Sequence, residues 1–236
     1  METKQPTDPA AGLHGASLEI FEGWNTKGPV VLGPSASHTW RTDPRRLPIT
    51  LARYKHVAKL LAGKKRALEV GCGDGFNLRI VLQAVPFIHG VDLSNVYVTW
   101  AKHHAEVEGL NCTFEQADVT AGPIPGNFDA AYSLDVIEHI PLAEESKFLK
   151  NLVAPLCDDA VCVIGTPNVH SEAYASKWSR EGHINLKSAE TLKASLEPFF
   201  DNVFVFAMND EMLHTGFFPM AHYLIALCAG VKRNDR

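Results

Sequence analysis

Three glycines, Gly71, Gly73 and Gly75, stand at alternate positions in "ALEVGCGDGFN" (67–77), behind an apolar run and flanked by the acids Glu69 and Asp74. Glycine lets a backbone pass close to a ligand, whereas two carboxylates repel phosphate. A dinucleotide loop, G-x-G-x-x-G, needs its third glycine where Phe76 stands, and no Gly-Lys-Ser/Thr follows for a Walker loop. The stretch therefore suits a ligand that carries an amino group and a positive centre, set against an anionic wall. Two single acids follow, Asp92 in "GVDLS" and Asp118 in "QADV"; taken alone, each also suits a strand-end turn. "SLDVIEHI" (133–140) gathers Asp135, Glu138 and His139, and "EGHINLKSAETL" (181–192) carries His183. A neutral imidazole accepts a proton near physiological pH, so His139 and His183 are candidate general bases, with Asp135 as a neighbour that raises basicity. Each histidine equally suits a helix cap or a surface position. Glu138 with His139 also reads as half of a divalent metal site; the sequence identifies no third ligand, and no metal site is assigned.

These residues need elements to hold them. "ITLARYKHVAKLLAG" (49–63) has apolar residues at helical spacing, and then strands alternate with helices. The strands are "ALEVG", "IHGVDLS", "CTFEQADV", "FDAAYSLDVIEHI" and "AVCVIGTPN"; the helices are "FNLRIVLQAV", "VYVTWAKHHAEVEG", "LAEESKFLKNLVAPL" and "SAETLKASLEPFF", the last opened by a Ser cap. Alternation of this kind implies a parallel sheet covered on both faces, with ligands beyond the carboxyl ends of its strands. "NVFVFAMND" and "AHYLIALCAG" read as two closing strands, paired as a hairpin across a connecting loop. His214 and His222 flank that loop and read as pocket wall or structural residues. Residues 1–45 show no sustained period and read as a flank, flexible at its start, in which Trp40, Arg41, Arg45 and Arg46 are candidates for a lid; the domain proper then runs 46–236.

The balance of the chain excludes several classes. Its 236 residues, 46% hydrophobic and 21% charged with a net charge of −5, suit one large globular domain and no basic nucleic-acid face. Five cysteines without paired spacing suit reduced thiols, and the polar first fifteen residues are unlike a signal peptide. The longest apolar run, "YLIALCAGV" (223–231), is too short to span a membrane. A soluble, cytoplasmic protein with a small-molecule acceptor, and without nucleic-acid or membrane partners, is the expectation; the oligomeric state stays open.

Taken in order, the motifs resemble those of the class I S-adenosylmethionine-dependent methyltransferases. Glu69–Gly75 matches their E/D-x-G-x-G-x-G, Asp92 the acid that holds the ribose hydroxyls, Asp118 with Val119 the pair flanking the adenine, and Ser133–Ile140 the fourth motif. The resemblance implies a Rossmann-like, seven-stranded, mostly parallel sheet with helices on both faces and an antiparallel C-terminal strand. It also implies S-adenosyl-L-methionine as cofactor, bound by Glu69, Gly71, Cys72, Gly73, Gly75, Asp92, Leu93, Asp118, Val119 and Leu134. The D/N-P-P-Y/F motif of DNA and protein amino methyltransferases is absent after the fourth strand. O-methylation of a small hydroxylated metabolite, such as a sugar, is therefore the favoured reaction. N-methylation of a small amine, or a donor-binding module without catalysis, is the alternative.

Overall fold

The computed structural model describes residue 10 and residues 12–233. The chain divides after Leu32 into two compact units. The first carries helix α1 (Ala16–Lys27), set between Gly15 and Gly28. The second comprises α2 (Pro34–Thr42), α3 (Arg46–Leu60), β1 (Arg66–Val70), α4 (Leu78–Val81), β2 (Phe87–Asp92), α5 (Asn95–Glu108), β3 (Cys112–Gln116), β4 (Phe128–Leu134), α6 (Leu142–Val153), β5 (Leu156–Pro167), α7 (Lys177–Gly182), α8 (Ala189–Leu196), β6 (Phe200–Asn209), β7 (Met212–His214) and β8 (Tyr223–Val231). The region read as an irregular flank thus contains two helices, and α2 belongs to the larger unit. Both are short of core residues: α1 buries none and α2 only Ala36, so neither is marked by a core-facing stripe.

One sheet of eight strands runs in the order β3-β2-β1-β4-β5-β8-β6-β7. The first five are parallel; β8 runs antiparallel between β5 and β6. The closing strands pair as anticipated, but β7 adds an eighth, three-residue strand that folds back on the end of β6. Along β1 side chains alternate between faces. Leu68 and Val70 join a core with Phe148 and Leu152 of α6 and Leu192 and Leu196 of α8. Ala67 joins another with Tyr54 and Val57 of α3 and Val98 and Ala101 of α5. From β1 the chain moves one way to β2 and β3, then returns to place β4 on the other side. The carboxyl ends of β1 and β4 therefore form the switch point at which such sheets bind ligands.

A buried ion pair registers the segment before α8. Lys187 reaches Glu145 of α6, and both side chains are almost wholly buried. Asn185 Nδ2 (2.5 Å) and Ser195 Oγ (2.6 Å) donate to the same carboxylate. Burial raises the Glu145 carboxyl, but these donors hold it below the usual range. Lys187→Ala leaves that charge buried without its cation and is expected to lower stability by about 3–5 kcal/mol. Lys187→Met with Glu145→Gln keeps the amide and hydroxyl partners and should recover most of the loss. Urea unfolding of the three proteins checks both; a single-variant loss under about 1 kcal/mol, the level of an exposed pair, would contradict the burial.

Candidate active site

The glycine loop leaves β1 at Val70 and turns sharply, with Gly71, Gly73 and Gly75 all at positive φ. Asp92, at the end of β2, fixes it: Oδ2 accepts from Gly73 N (2.9 Å) and Oδ1 from Ser94 N (2.8 Å). Ser133 Oγ donates to the Val70 carbonyl (2.9 Å), tying β4 to the same corner. Asp118 Oδ1 accepts from Thr120 N and Oγ1, bonds that lower its carboxyl, and Asn151 Nδ2 of α6 donates to the Val119 carbonyl (2.7 Å).

Two cavities open at these strand ends. The smaller, about 290 Å³, is lined by Gly71, Asp92, Leu93, Asp118, Val119 and His139 among others. The larger, about 730 Å³, takes in Cys72, Gly73, Leu134, Arg53 and His183. Gly71 and Asp135 line both. Eight of the ten residues anticipated around the donor thus border a cavity. Gly75 and Glu69 border neither. Gly75 lies against Ala101 and Phe114, where a Cβ would come within 3.0 Å of each, so the loop packs tightly on α5 and β3 there.

Glu69 is sealed beneath the loop. Tyr54 and Tyr132 hydroxyls donate to its two oxygens, each at 2.9 Å. Burial pushes its carboxyl up to about 7 against these hydrogen bonds, with Asp92 and Asp74 adding to the rise. It is not the exposed anionic wall that its place in the motif suggests. Asp74 also turns away from the glycines, accepting from Ser35 N (2.8 Å) at the start of α2.

The third cluster follows β4. Asp135 sits at φ 57°, and both its oxygens accept from Arg53 Nη1 (2.9 and 3.0 Å). Arg53 was not singled out in the sequence because it lies mid-helix among core-facing residues; its guanidinium also stacks on Tyr223, 3.6 Å from the ring centre. This pair holds Asp135 against Arg53. His139 Nδ1 lies 2.9 Å from the Gly182 carbonyl, which can only accept, so Nδ1 is the donor of this bond and the neutral ring would present its lone pair at Nε2. His183 packs edge-on against it, ring centres 5.1 Å apart. Burial and His139 lower the His183 imidazole, and the opposing pull of Asp135 is weaker, so this ring stays neutral at pH 7. Glu138 completes the group: ligand atoms of Glu138, His139 and His183 all lie within 4.8 Å of one another. Its Oε2 accepts from Thr166 Oγ1 (3.0 Å), while the buried Oε1 has no partner among the described residues. Burial, with Asp135 nearby, raises its carboxyl. The Glu138 carbonyl accepts from Ile184 N and Asn185 N (2.9 and 3.0 Å), which brings His183 to its place. His183 brings to this group a third atom of a type that can bind a cation, an adjacency that spacing alone did not reveal. Of the other candidates, Arg46 and His222 line the larger cavity, whereas Arg45 is exposed and paired with Asp43.

The glycine loop and the strand-end acids thus border two cavities that meet at Gly71 and Asp135. Residues 67–158 match the family described as "Methyltransferase domain". This match supports a class I S-adenosylmethionine-dependent methyltransferase domain in the chain. It is similar to a ubiquinone biosynthesis O-methyltransferase of Coxiella burnetii (26% identity over 59% of this chain and 61% of that one). It is also similar to the mitochondrial ubiquinone biosynthesis O-methyltransferase of Arabidopsis thaliana (30% identity over 65% and 48%). The chain thus spans less than two thirds of the length of these curated relatives. Among solved structures the fold is shared with a DhpI–SAH complex (TM-score 0.62, 19% identity, 84% of this chain and 92% of that one). It is shared too with the N-methyltransferase NodS from Bradyrhizobium japonicum in complex with S-adenosyl-L-homocysteine (TM-score 0.58, 17% identity, 81% and 91%). Among the described residues no helix is long and apolar enough to cross a membrane.

Because folded Glu69 holds its proton up to about pH 7, against an ordinary value of 4.5, folding takes up a proton between those values. The stability this proton confers is complete below pH 4.5 and is lost as pH rises to 7. Glu69→Gln can still pair with both tyrosine hydroxyls and removes the titration. Across pH 4.5–7 the stability of Glu69→Gln should therefore rise relative to the parent by on the order of 3 kcal/mol. Urea midpoints at pH 5, 6, 7 and 8 check this; parallel curves would refute it.

Proposed function

We propose that this protein transfers the methyl group of S-adenosylmethionine to an oxygen of a small hydroxylated metabolite. The observation that carries the reading is the meeting of the two cavities at Gly71 and Asp135, with His139 bordering one and His183 the other. The names of the curated relatives, ubiquinone biosynthesis O-methyltransferases, support oxygen as the acceptor atom. A cavity of about 730 Å³ is within the range of small-ligand sites.

The residues fit the donor. Gly73 leaves open space where a side chain would stand, and the Asp92 carboxylate, already holding the loop, keeps lone pairs for ribose hydroxyls. Leu93, Asp118 and Val119 would flank the adenine. When bound, the donor supplies an electrophilic methyl carbon on a sulfonium. The chain's part is alignment, together with removal of the acceptor's hydroxyl proton as its oxygen attacks in line and the sulfur keeps the C–S electron pair. His139 Nε2 can take that proton, since its Nδ1–H is held by Gly182; His183 is the alternative base.

A second reading has one observation in its favour: the orphaned, buried Glu138 Oε1 beside two imidazoles. Glu138, His139 and His183 are a donor set that suits a divalent cation such as zinc or manganese. When bound, such an ion would make an acceptor hydroxyl more acidic, and the histidines would then be ligands.

Asp92→Ala is expected to weaken S-adenosylhomocysteine binding at least about tenfold, through loss of charge-assisted hydrogen bonds of about 1.5–3 kcal/mol each. Calorimetry reads it, and unchanged affinity would remove Asp92 from the donor site. His139→Ala, or His183→Ala where that ring is the base, should cost about 10²–10⁴-fold in turnover, measured as S-adenosylhomocysteine release across a panel of hydroxylated compounds. Dialysis against chelator separates the two readings: a rate that collapses and returns on adding the ion makes the histidines ligands, and an unchanged rate leaves an imidazole base. Loss of neither histidine slowing the reaction would end both.

A further inference from the structure

We propose that Asp74 is a positioning residue that couples the glycine loop to α2, the helix that walls the larger cavity. The inference rests on the reading above and takes the acceptor to lie in that cavity.

Helix α2 has no cap of its own. Its N-cap is Gly33 and its first residue Pro34, and no side chain from its own segment bonds its free amides. Asp74 supplies the cap from across the fold. Its Oδ2 accepts from Ser35 N at 2.8 Å, with Ala36 N at 3.5 Å from the same oxygen, while Oδ1 accepts from Phe76 N (3.3 Å) within the loop. One carboxylate therefore bonds to both segments. Asp74 is only 5% exposed, and the positive end of α2 is where such a charge is favoured.

Gly33 makes the fit specific. Its φ of −64° is open to any residue, so backbone conformation does not demand glycine here. Space does: a Cβ at Gly33 would lie 2.3 Å from Asp74 Oδ2, 2.4 Å from Cγ and 2.8 Å from Cβ. Any side chain at position 33 must push the carboxylate off the α2 amides. Beyond this cap Ser35 and Thr39 of α2, then Asp43 and Arg46, line the larger cavity opposite Gly71–Gly73. A donor that orders the glycine loop would thereby order the acceptor's wall as well.

An anionic wall for the donor's positive centre is the competing role for Asp74, and the two roles respond differently to charge. Asn keeps a capping oxygen and loses the charge; Ala loses both. The test measures amide hydrogen exchange of residues 35–42, with and without saturating S-adenosylhomocysteine, in the parent, D74N, D74A, G33A and G33A/D74A. Calorimetry with the same ligand runs alongside. D74A and G33A should each speed exchange across α2 by about tenfold, the effect of losing one N-cap, and the double variant should be no faster than either single one. D74N should stay within about threefold of the parent. S-adenosylhomocysteine should slow α2 exchange in the parent and in D74N, and leave it unchanged in D74A. A D74N protein that exchanges like D74A, additive effects of the two alanines, or ligand protection that survives in D74A would each overturn the proposal. Failure of the parent to bind S-adenosylhomocysteine would instead sink the donor reading, while the exchange rates without ligand still decide whether Asp74 caps α2.

Discussion

The site depends on how closely the chain leaving β1 approaches the chain leaving β4. A Cβ on Gly71 would lie 2.2 Å from Cγ2 of Val136, and Gly71 adopts φ +83° besides. Only a residue without a side chain meets both conditions. This contact joins the glycine loop to the turn that starts at Asp135. A bulkier residue at position 71 would have to part the strand ends and, with them, the donor loop from the histidines.

The acids gathered at these ends are satisfied mostly by neutral partners. Glu69 takes two tyrosine hydroxyls, Asp92 two backbone amides, and Asp74 the amides of α2 and its own loop. The bond of Arg53 to Asp135 is an exception, with a guanidinium as donor. At Asp92 and Asp74 such bonds satisfy oxygen lone pairs without cancelling charge, so the region around the glycines stays electronegative. A sulfonium and an amino group are favoured there, and phosphate is not. The raised carboxyl of Glu69 is a cost of the same arrangement.

The glycine loop and the strand-end acids were legible because their spacing is local and each follows an apolar strand. Packing across the fold was not. Asp74 looked like a partner for the ligand, since nothing in "GCGDG" announces a helix that begins at Pro34. His139 and His183 read as alternative bases, and their adjacency depends on two amides donating to the Glu138 carbonyl, a contact without a side-chain signature. Nothing in the sequence marks Lys187 and Glu145 as a buried pair; their burial follows from the packing of the segment before α8 on α6. The helix after the glycine loop was drawn too long, as its regular part is only Leu78–Val81.

Strand β8 has a consequence for how the sheet is assembled. It comes last in the chain yet lies between β5 and β6, bonded to both along most of its length. During synthesis β5 and β6 emerge first, and each must wait with a row of unpaired amides and carbonyls facing the other across a vacant track. Such edges invite pairing with a neighbouring chain. Insertion of "YLIALCAGV" closes both at once, so a single apolar strand covers two inner edges of the sheet.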